Sequence, residues 1–390
     1  MVEPRRILYG VSSVGLGHAR RSLVIARKIR ELNPLVQIDW ICAEPVNSFL
    51  KDSGELTLAS SSNLESMGYA MESVAKEGRI DDMSKVARLS SEIGRRNYEK
   101  IKPHIASHDF LIQDEYIETL FSFLWDESPP LPSKRAVITD YVRFETPSWN
   151  PYNRLIIWYA NRALKKAFMN QSIRIFTDDR EALPAHGSTR SWALKNFHIA
   201  GPVIDDSPAK SRGLLKRELF HIEEKKRLIT FTIGGTSIGL SLVDFVVRHA
   251  KEISSSLDSH LAVLLGPKFD PSLFSNLSKD LTLVGFTSHA LVYFKAADCV
   301  VSQAGASTLN EVASLGVPCV CVPIKNHWEQ NQNAFRFAVK CNFEILEYDR
   351  FSVKELVKAV ERAISRKYEP VQNVNAPTKI ARLISESFFA

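Results

Sequence analysis

Two series of short apolar runs, separated by amphipathic or polar stretches, constrain this chain more than any other feature. The first series is 6–10, 37–42, 110–113, 136–139 and 173–177; the second is 228–233, 260–265, 281–284, 299–302, 319–323 and 343–346. Runs of this length and apolarity read as strands buried on both faces, and the helical stretches between them, such as 19–31 and 353–365, read as crossovers. Strands alternating with helices predict right-handed βαβ units on parallel sheets, so the chain reads as α/β with two doubly wound, Rossmann-like domains. At 390 residues it also exceeds the size at which a single core stops growing.

Gly201-Pro202 and the polar stretch 205–226 carry residues that neither sheet needs, which sets the boundary: an N-terminal domain of 1–201 and a C-terminal domain of 202–375. A polar segment, 373–377, then separates a last helix over 378–388 within a tail of 376–390.

Composition removes several function classes. Hydrophobic residues at 45% and charged residues at 24% fit a globular protein, and no run of about 18 apolar residues is present to span a bilayer. The chain passes from Arg5-Arg6 straight into its first strand with no signal-peptide core, so the expected location is the cytoplasm. The five Cys are scattered; Cys42, Cys299, Cys319 and Cys321 fall in apolar runs and read as reduced core residues, and no metal-ligand spacing occurs. A net charge of +6 is modest. With no dense basic run and no nucleic-acid module, nucleic acid is not an expected partner.

The densest chemistry is the stretch Ser302-Gln303-Ala304-Gly305-Ala306-Ser307-Thr308-Leu309-Asn310-Glu311. A buried strand ends at a small-residue turn, and the helix beginning at Ser307 points free backbone N–H groups and its positive dipole end at whatever occupies the turn, which favours a diphosphate. Glu311 lies one turn further, where a carboxylate accepts hydrogen bonds from a vicinal diol such as ribose. Gly234-Gly235-Thr236 makes a second strand-to-helix turn fit for an anion. Gly285-Phe286-Thr287 ends another strand. Glu329-Gln330 sets an acid beside an amide, a pair suited to adjacent sugar hydroxyls.

In the N-terminal half, Gly15-Leu16-Gly17-His18-Ala19-Arg20-Arg21 follows the first strand. Arg20 occupies the third glycine position of a dinucleotide turn, and no phosphate-binding P-loop pattern exists, which disfavours a dehydrogenase or ATPase. His18 is a candidate base, its imidazole titrating near neutrality. Asp114 and Asp140 are the others, each at the C-terminal end of a strand, where doubly wound sheets hold ligands; the residues alone leave the choice open. Over 143–169, Phe144, Trp149, Tyr152, Ile156, Ile157, Trp158, Tyr159 and Phe168 interleave with Arg143, Arg154, Arg162, Lys165 and Lys166. That pattern suits either a buried helix with a basic side or contact with a membrane surface.

The stretch 228–334 resembles the donor-binding signature of GT-B glycosyltransferases, above all the MurG-like N-acetylglucosaminyltransferases, and the N-terminal half resembles them through its first strand, its glycine turn and His18. The resemblance implies two Rossmann-like domains facing a cleft, with the terminal helix packed back on the first. It implies an inverting, metal-independent transfer of GlcNAc from a UDP-sugar, a substrate rather than a cofactor, to an acceptor that the sequence does not identify; the 143–169 segment makes a lipid-linked acceptor at the inner face of the membrane one option. Gly17, Gly234, Gly235, Thr236, Phe286, Thr287, Gly305, Ala306, Ser307, Thr308, Glu311, Glu329 and Gln330 would then meet the donor, and His18, Asp114 or Asp140 would serve as base. Two other readings stand beside it: a nucleotide-sugar 2-epimerase, which usually shows an acidic pair where Asn310 precedes Glu311 here, and a noncatalytic donor- or lipid-binding subunit.

Overall fold

The first sheet grows outward from a strand that scarcely meets water. In the computed structural model, which describes residues 5–76, 79–80, 83–145, 150–205, 208–233, 237–267, 269–275, 277–371 and 375–389, β1 (Arg6–Val11) is buried at every position after Arg6. It pairs in parallel with β2 (Gln37–Ile41) on one side and β3 (Phe110–Asp114) on the other. The sheet continues in parallel through β4 (Lys134–Thr139), β5 (Ile173–Phe176) and β6 (His198–Ile199), in the order β2-β1-β3-β4-β5-β6. Gly10 is required within β1, because a Cβ there would lie 2.3 Å from the Tyr116 ring, which packs directly over the strand.

The chain separates into two units, one of 1–74, 82–205 and 374–390, the other of 75–81 and 206–373. In the second unit, β7 (Arg227–Thr232) is central. Its sheet has the order β9-β8-β7-β10-β11-β12, all parallel, with β8 (Ser259–Leu264), β9 (Leu281–Val284), β10 (Cys299–Ser302), β11 (Cys319–Cys321) and β12 (Glu344–Ile345). The apolar runs of the sequence become these strands to within about two residues at either end. The two-residue β6 left no such run.

In both sheets the strand order reverses beside the first strand, between β1 and β3 and between β7 and β10. Loops leaving neighbouring strands diverge there and open a crevice at the C-terminal ends of the strands, where open α/β sheets take ligands.

The first unit has α1 (Leu16–Leu32) after β1 and α2 (Pro151–Met169) before β5. Helix α1 starts at Leu16, ahead of the expected Ala19, because the extended Gly15 already serves as its N-cap. The second unit carries α3 (Leu240–Leu257), α4 (Ala290–Ala296), α5 (Ala306–Ser314), α6 (Trp328–Cys341) and α7 (Val353–Ser365). Helix α7 begins under a Ser352 cap, whose hydroxyl accepts from the Glu355 N–H. Among the described residues, no helix is long and apolar enough to cross a membrane.

The tail helix α8 (Ala376–Phe389) packs on α1 in the first unit. Its fully buried Phe388 stacks on Phe110 of β3 at 4.8 Å, and Ser385 accepts from Asn33 at 2.6 Å. The last turn therefore seals the base of the strand that ends at Asp114. Phe388→Ala removes a buried ring that its surroundings cannot refill, and a loss of about 3–5 kcal/mol is expected in urea unfolding followed by circular dichroism.

Candidate active site

Helix α1 carries His18 in its first turn and Arg21 and Ser22 a turn later, so all three sit on one face of the helix. That face meets the end of β3 at the β1/β3 reversal. His18 Nδ1 lies 3.0 Å from Asp114 Oδ1. Arg21 donates to Asp114 through Nε (2.8 Å to Oδ2) and Nη2 (2.5 Å to Oδ1), and through Nη1 to Asp140 Oδ2 at 2.6 Å. Ser22 donates to Asp114 Oδ2 at 2.7 Å. Glu115 completes the group: its Oε1 accepts from Arg21 Nη2 at 3.2 Å and from the Asp140 backbone N–H at 2.9 Å, with the Thr139 hydroxyl 3.0 Å away. The three candidate bases, His18, Asp114 and Asp140, thus form one network around one guanidinium.

Charge decides how the network divides its protons. Burial alone would raise the Asp114 pKa, yet the Arg21 charge, its hydrogen bonds and His18 outweigh it and hold the carboxyl at about 2. Asp140 is lowered too, with Arg21 overcoming burial. Glu115 goes the other way, raised by burial and by the neighbouring Asp140 charge to about 8. For His18, burial and Arg21 press the pKa down, but Glu115 and the hydrogen bond to Asp114 raise it above the ordinary value.

Nδ1 of His18 is also 2.9 Å from Arg21 Nη2, and one nitrogen does not both donate to Asp114 and accept from Arg21. The carboxylate is the stronger partner, so we assign the proton to Nδ1, donating to Asp114. The Nε2 lone pair then becomes the reactive one. Asp114 itself has no exposed surface, and its oxygens are taken by Arg21, Ser22 and His18. Such a carboxylate orients an imidazole and does not meet a substrate.

In the second unit the small-residue turn occupies the β7/β10 reversal. Ala304 is fully buried with φ at 23°, a left-handed value uncommon for alanine. Gly305 caps α5 without any side-chain hydrogen bond, and Ala306, Ser307 and Thr308 form the first turn, so the helix begins one residue earlier than expected. Glu311 follows one turn on, partly buried. Asn333 of α6 donates to the Ala304 carbonyl at 3.3 Å and ties the turn to the helix that carries Glu329 and Gln330 in its first turn. The Gln330 side-chain oxygen accepts from the Ile324 N–H at 2.9 Å, which fixes the orientation of the amide. His327 is the α6 N-cap, accepting from the Gln330 N–H, and burial lowers its pKa to about 4.

Phe286 and Thr287 follow β9, and the Thr287 hydroxyl accepts from the His289 N–H at 3.1 Å ahead of α4. Gly17 lies beside His18 in the first turn of α1. Gly234, Gly235 and Thr236 lie outside the described residues.

Sequence reasoning missed Arg21, Ser22 and Glu115. The available signal was their spacing, three and four residues after His18 on a helix and one residue after Asp114.

Helix α2 holds its C-terminal half in the core through Leu164, Ala167 and Phe168. Its N-terminal half exposes Tyr152, Leu155, Trp158 and Tyr159 beside Arg154 and Arg162. The Arg162 guanidinium lies 4.8 Å over the Trp158 ring. Trp149 lies outside the described residues.

The depressed Asp114 pKa means that its contribution to stability is complete above its ordinary value of 3.8 and is lost as pH falls through about 2. Wild-type protein should lose about 2 kcal/mol over that window. Asp114→Asn should show no such step, having already lost about 3–5 kcal/mol at pH 7 by leaving Arg21 short of a buried partner. Urea unfolding at a series of pH values measures both.

Comparison with known proteins agrees with this layout. The glycosyltransferase family 28 C-terminal domain matches residues 229–387. An uncharacterized glycosyltransferase of Methanopyrus kandleri, MK0977, is 25% identical over 189 residues, 47% of this chain and about half, 53%, of that protein. An uncharacterized glycosyltransferase of Methanosarcina mazei is 22% identical over 342 residues, covering 84% of this chain and 82% of its own length. The UDP-N-acetylglucosamine--N-acetylmuramyl-(pentapeptide) pyrophosphoryl-undecaprenol N-acetylglucosamine transferase of Caldicellulosiruptor saccharolyticus is 28% identical over 137 residues, 33% of this chain and 37% of that one. Among solved structures, the glycotransferase of kitacinnamycin superposes with a TM-score of 0.60 at 14% identity, over 99% of this chain and 95% of the other. Residues 229–387 match the glycosyltransferase family 28 C-terminal domain, and the two six-stranded parallel sheets have the fold of the GT-B glycosyltransferases.

Proposed function

We propose that the protein transfers a sugar, GlcNAc as the first candidate, from a UDP-sugar to a hydroxyl of a lipid-linked acceptor, with inversion and without a metal ion or cofactor. The observation that carries this reading is the His18 to Asp114 contact at 3.0 Å, which leaves Nε2 as a proton acceptor that a buried carboxylate backs. In the step, Nε2 takes the acceptor hydroxyl proton as its oxygen bonds to the anomeric carbon. The bond from that carbon to the diphosphate breaks, and its electron pair leaves with UDP. Asp114 stabilises the imidazolium.

Charge developing on the diphosphate is met by the unfilled N–H groups at Gly305 to Thr308, which cost no reorganisation as the reaction proceeds. Glu311 holds the ribose, and Glu329 and Gln330 face the sugar hydroxyls. The choice of UDP-GlcNAc and of a lipid-linked acceptor is supported by the named activity of the Caldicellulosiruptor relative. The exposed aromatic and basic half of α2 supports seating at an anionic membrane face.

Release of UDP from UDP-GlcNAc, with EDTA present, tests the reading. His18→Ala should cut kcat by about 10²- to 10⁴-fold with little change in KM, whereas Glu311→Ala should raise the donor KM by about tenfold. A panel of sugar nucleotides without turnover, or strict dependence on added divalent metal, would overturn it. For the membrane contact, Trp158→Ser with Tyr159→Ser should abolish co-sedimentation with vesicles containing anionic phospholipid; undiminished binding would remove α2 from the interface.

A further inference from the structure

We propose that Glu115 is a positioning residue that sets the protonation state of His18, the two side chains sharing one proton between Glu115 Oε2 and His18 Nε2. The proposal deepens the reading of His18 as the base and rests on it.

The geometry gives the two Glu115 oxygens different roles. Oε1 accepts from the Asp140 N–H and from Arg21 Nη2, so a proton carried by this carboxyl sits on Oε2. That oxygen lies 3.7 Å from His18 Nε2, and Nε2 is the nitrogen left reactive once Nδ1 is committed to Asp114. The backbone enforces the approach. Glu115 has φ at 47°, a left-handed value that costs a non-glycine residue energy, and its N–H is held by the Ile138 carbonyl at 3.1 Å.

The groups facing the pair come from four elements. Among the described residues, Arg21 of α1 supplies the fixed positive charge at the pair. Asp114 ends β3 and stays ionised, and Asp140, which follows β4, does so as well. Tyr9 of β1 faces Asp114, and burial pushes its pKa up, so it stays neutral. Arg21 against three carboxylates, Asp114, Asp140 and Glu115, leaves a net charge of −2 while His18 is neutral, and a single proton taken up by either His18 or Glu115 reduces it to −1.

The consequence for the base has a definite sign. An ionised Glu115 stabilises the imidazolium and raises the pKa of His18, while a neutral one does not. Two sites coupled this closely titrate in two macroscopic steps. Glu115→Gln keeps the shape and removes the charge, so His18 should lose its proton at lower pH, in a single step, and the acid limb of the rate profile should move with it.

The test is a titration of the full-length chain labelled with ¹³C-histidine and followed by NMR with no sugar nucleotide present, the His18 signal being assigned from His18→Gln. The wild type should show two inflections for His18. In Glu115→Gln there should be one, displaced downward by about one pH unit or more. A single wild-type inflection that Glu115→Gln leaves in place would overturn the proposal. If the variant fails to fold by circular dichroism, the wild-type curve still decides, because one inflection alone refutes proton sharing. The measurement needs no turnover, so failure of UDP release with an intact two-step titration would count against the transferase reading and not against the pair.

Discussion

One buried guanidinium organises the first unit. Arg21 is almost inaccessible to water, and such a charge is tolerable only when ion partners and hydrogen bonds occupy its donors. Asp114, Asp140 and Glu115 do so from two strand ends. The constraint works in both directions: the carboxylates fix the guanidinium, and the guanidinium keeps two of them ionised in a place where burial alone would have protonated them. His18 takes its orientation from a partner whose own position Arg21 secures. His18 thus rests on Asp114, and Asp114 on Arg21.

The second unit solves the opposite problem by opposite means. The diphosphate proposed for it carries its own charge, and such a ligand calls for donors and close approach more than for side-chain charge. The Gly305 turn offers backbone N–H groups and small residues, with Asn333 bracing the Ala304 carbonyl from behind. Side chains of chemical note appear only where hydroxyls are expected, at Glu311, Glu329 and Gln330. One unit therefore works by buried charge and the other by aligned peptide dipoles.

This contrast also explains what the sequence disclosed. The parallel sheets were legible because strands buried on both faces appear as uninterrupted apolar runs; the edge strand β6 left no such trace because it pairs an exposed His198 with a half-buried Ile199. The turn after β10 was legible because its parts are contiguous from Ser302 to Glu311, and a contiguous motif needs no fold to assemble it. The His18 group was only partly so. Its members come from α1 and from two strand ends, with 96 positions between His18 and Asp114, and only the β1/β3 reversal brings them together. Arg21 stood beside the residue that broke a dinucleotide pattern, and Glu115 read as the companion of Asp114. Neither has a local signature, because a buried ion network is a property of the folded sheet.

The left-handed backbone at Glu115 and Ala304 occurs just past the final residues of β3 and β10, the strands that border the two reversals. Glycine at either position would relax the main chain, yet would delete the carboxyl in one case and loosen the phosphate turn in the other. These are places where conformational ease and the proposed chemistry pull apart, so variants of this protein selected only for heat tolerance would be drawn toward exchanges here that leave it sturdier and idle.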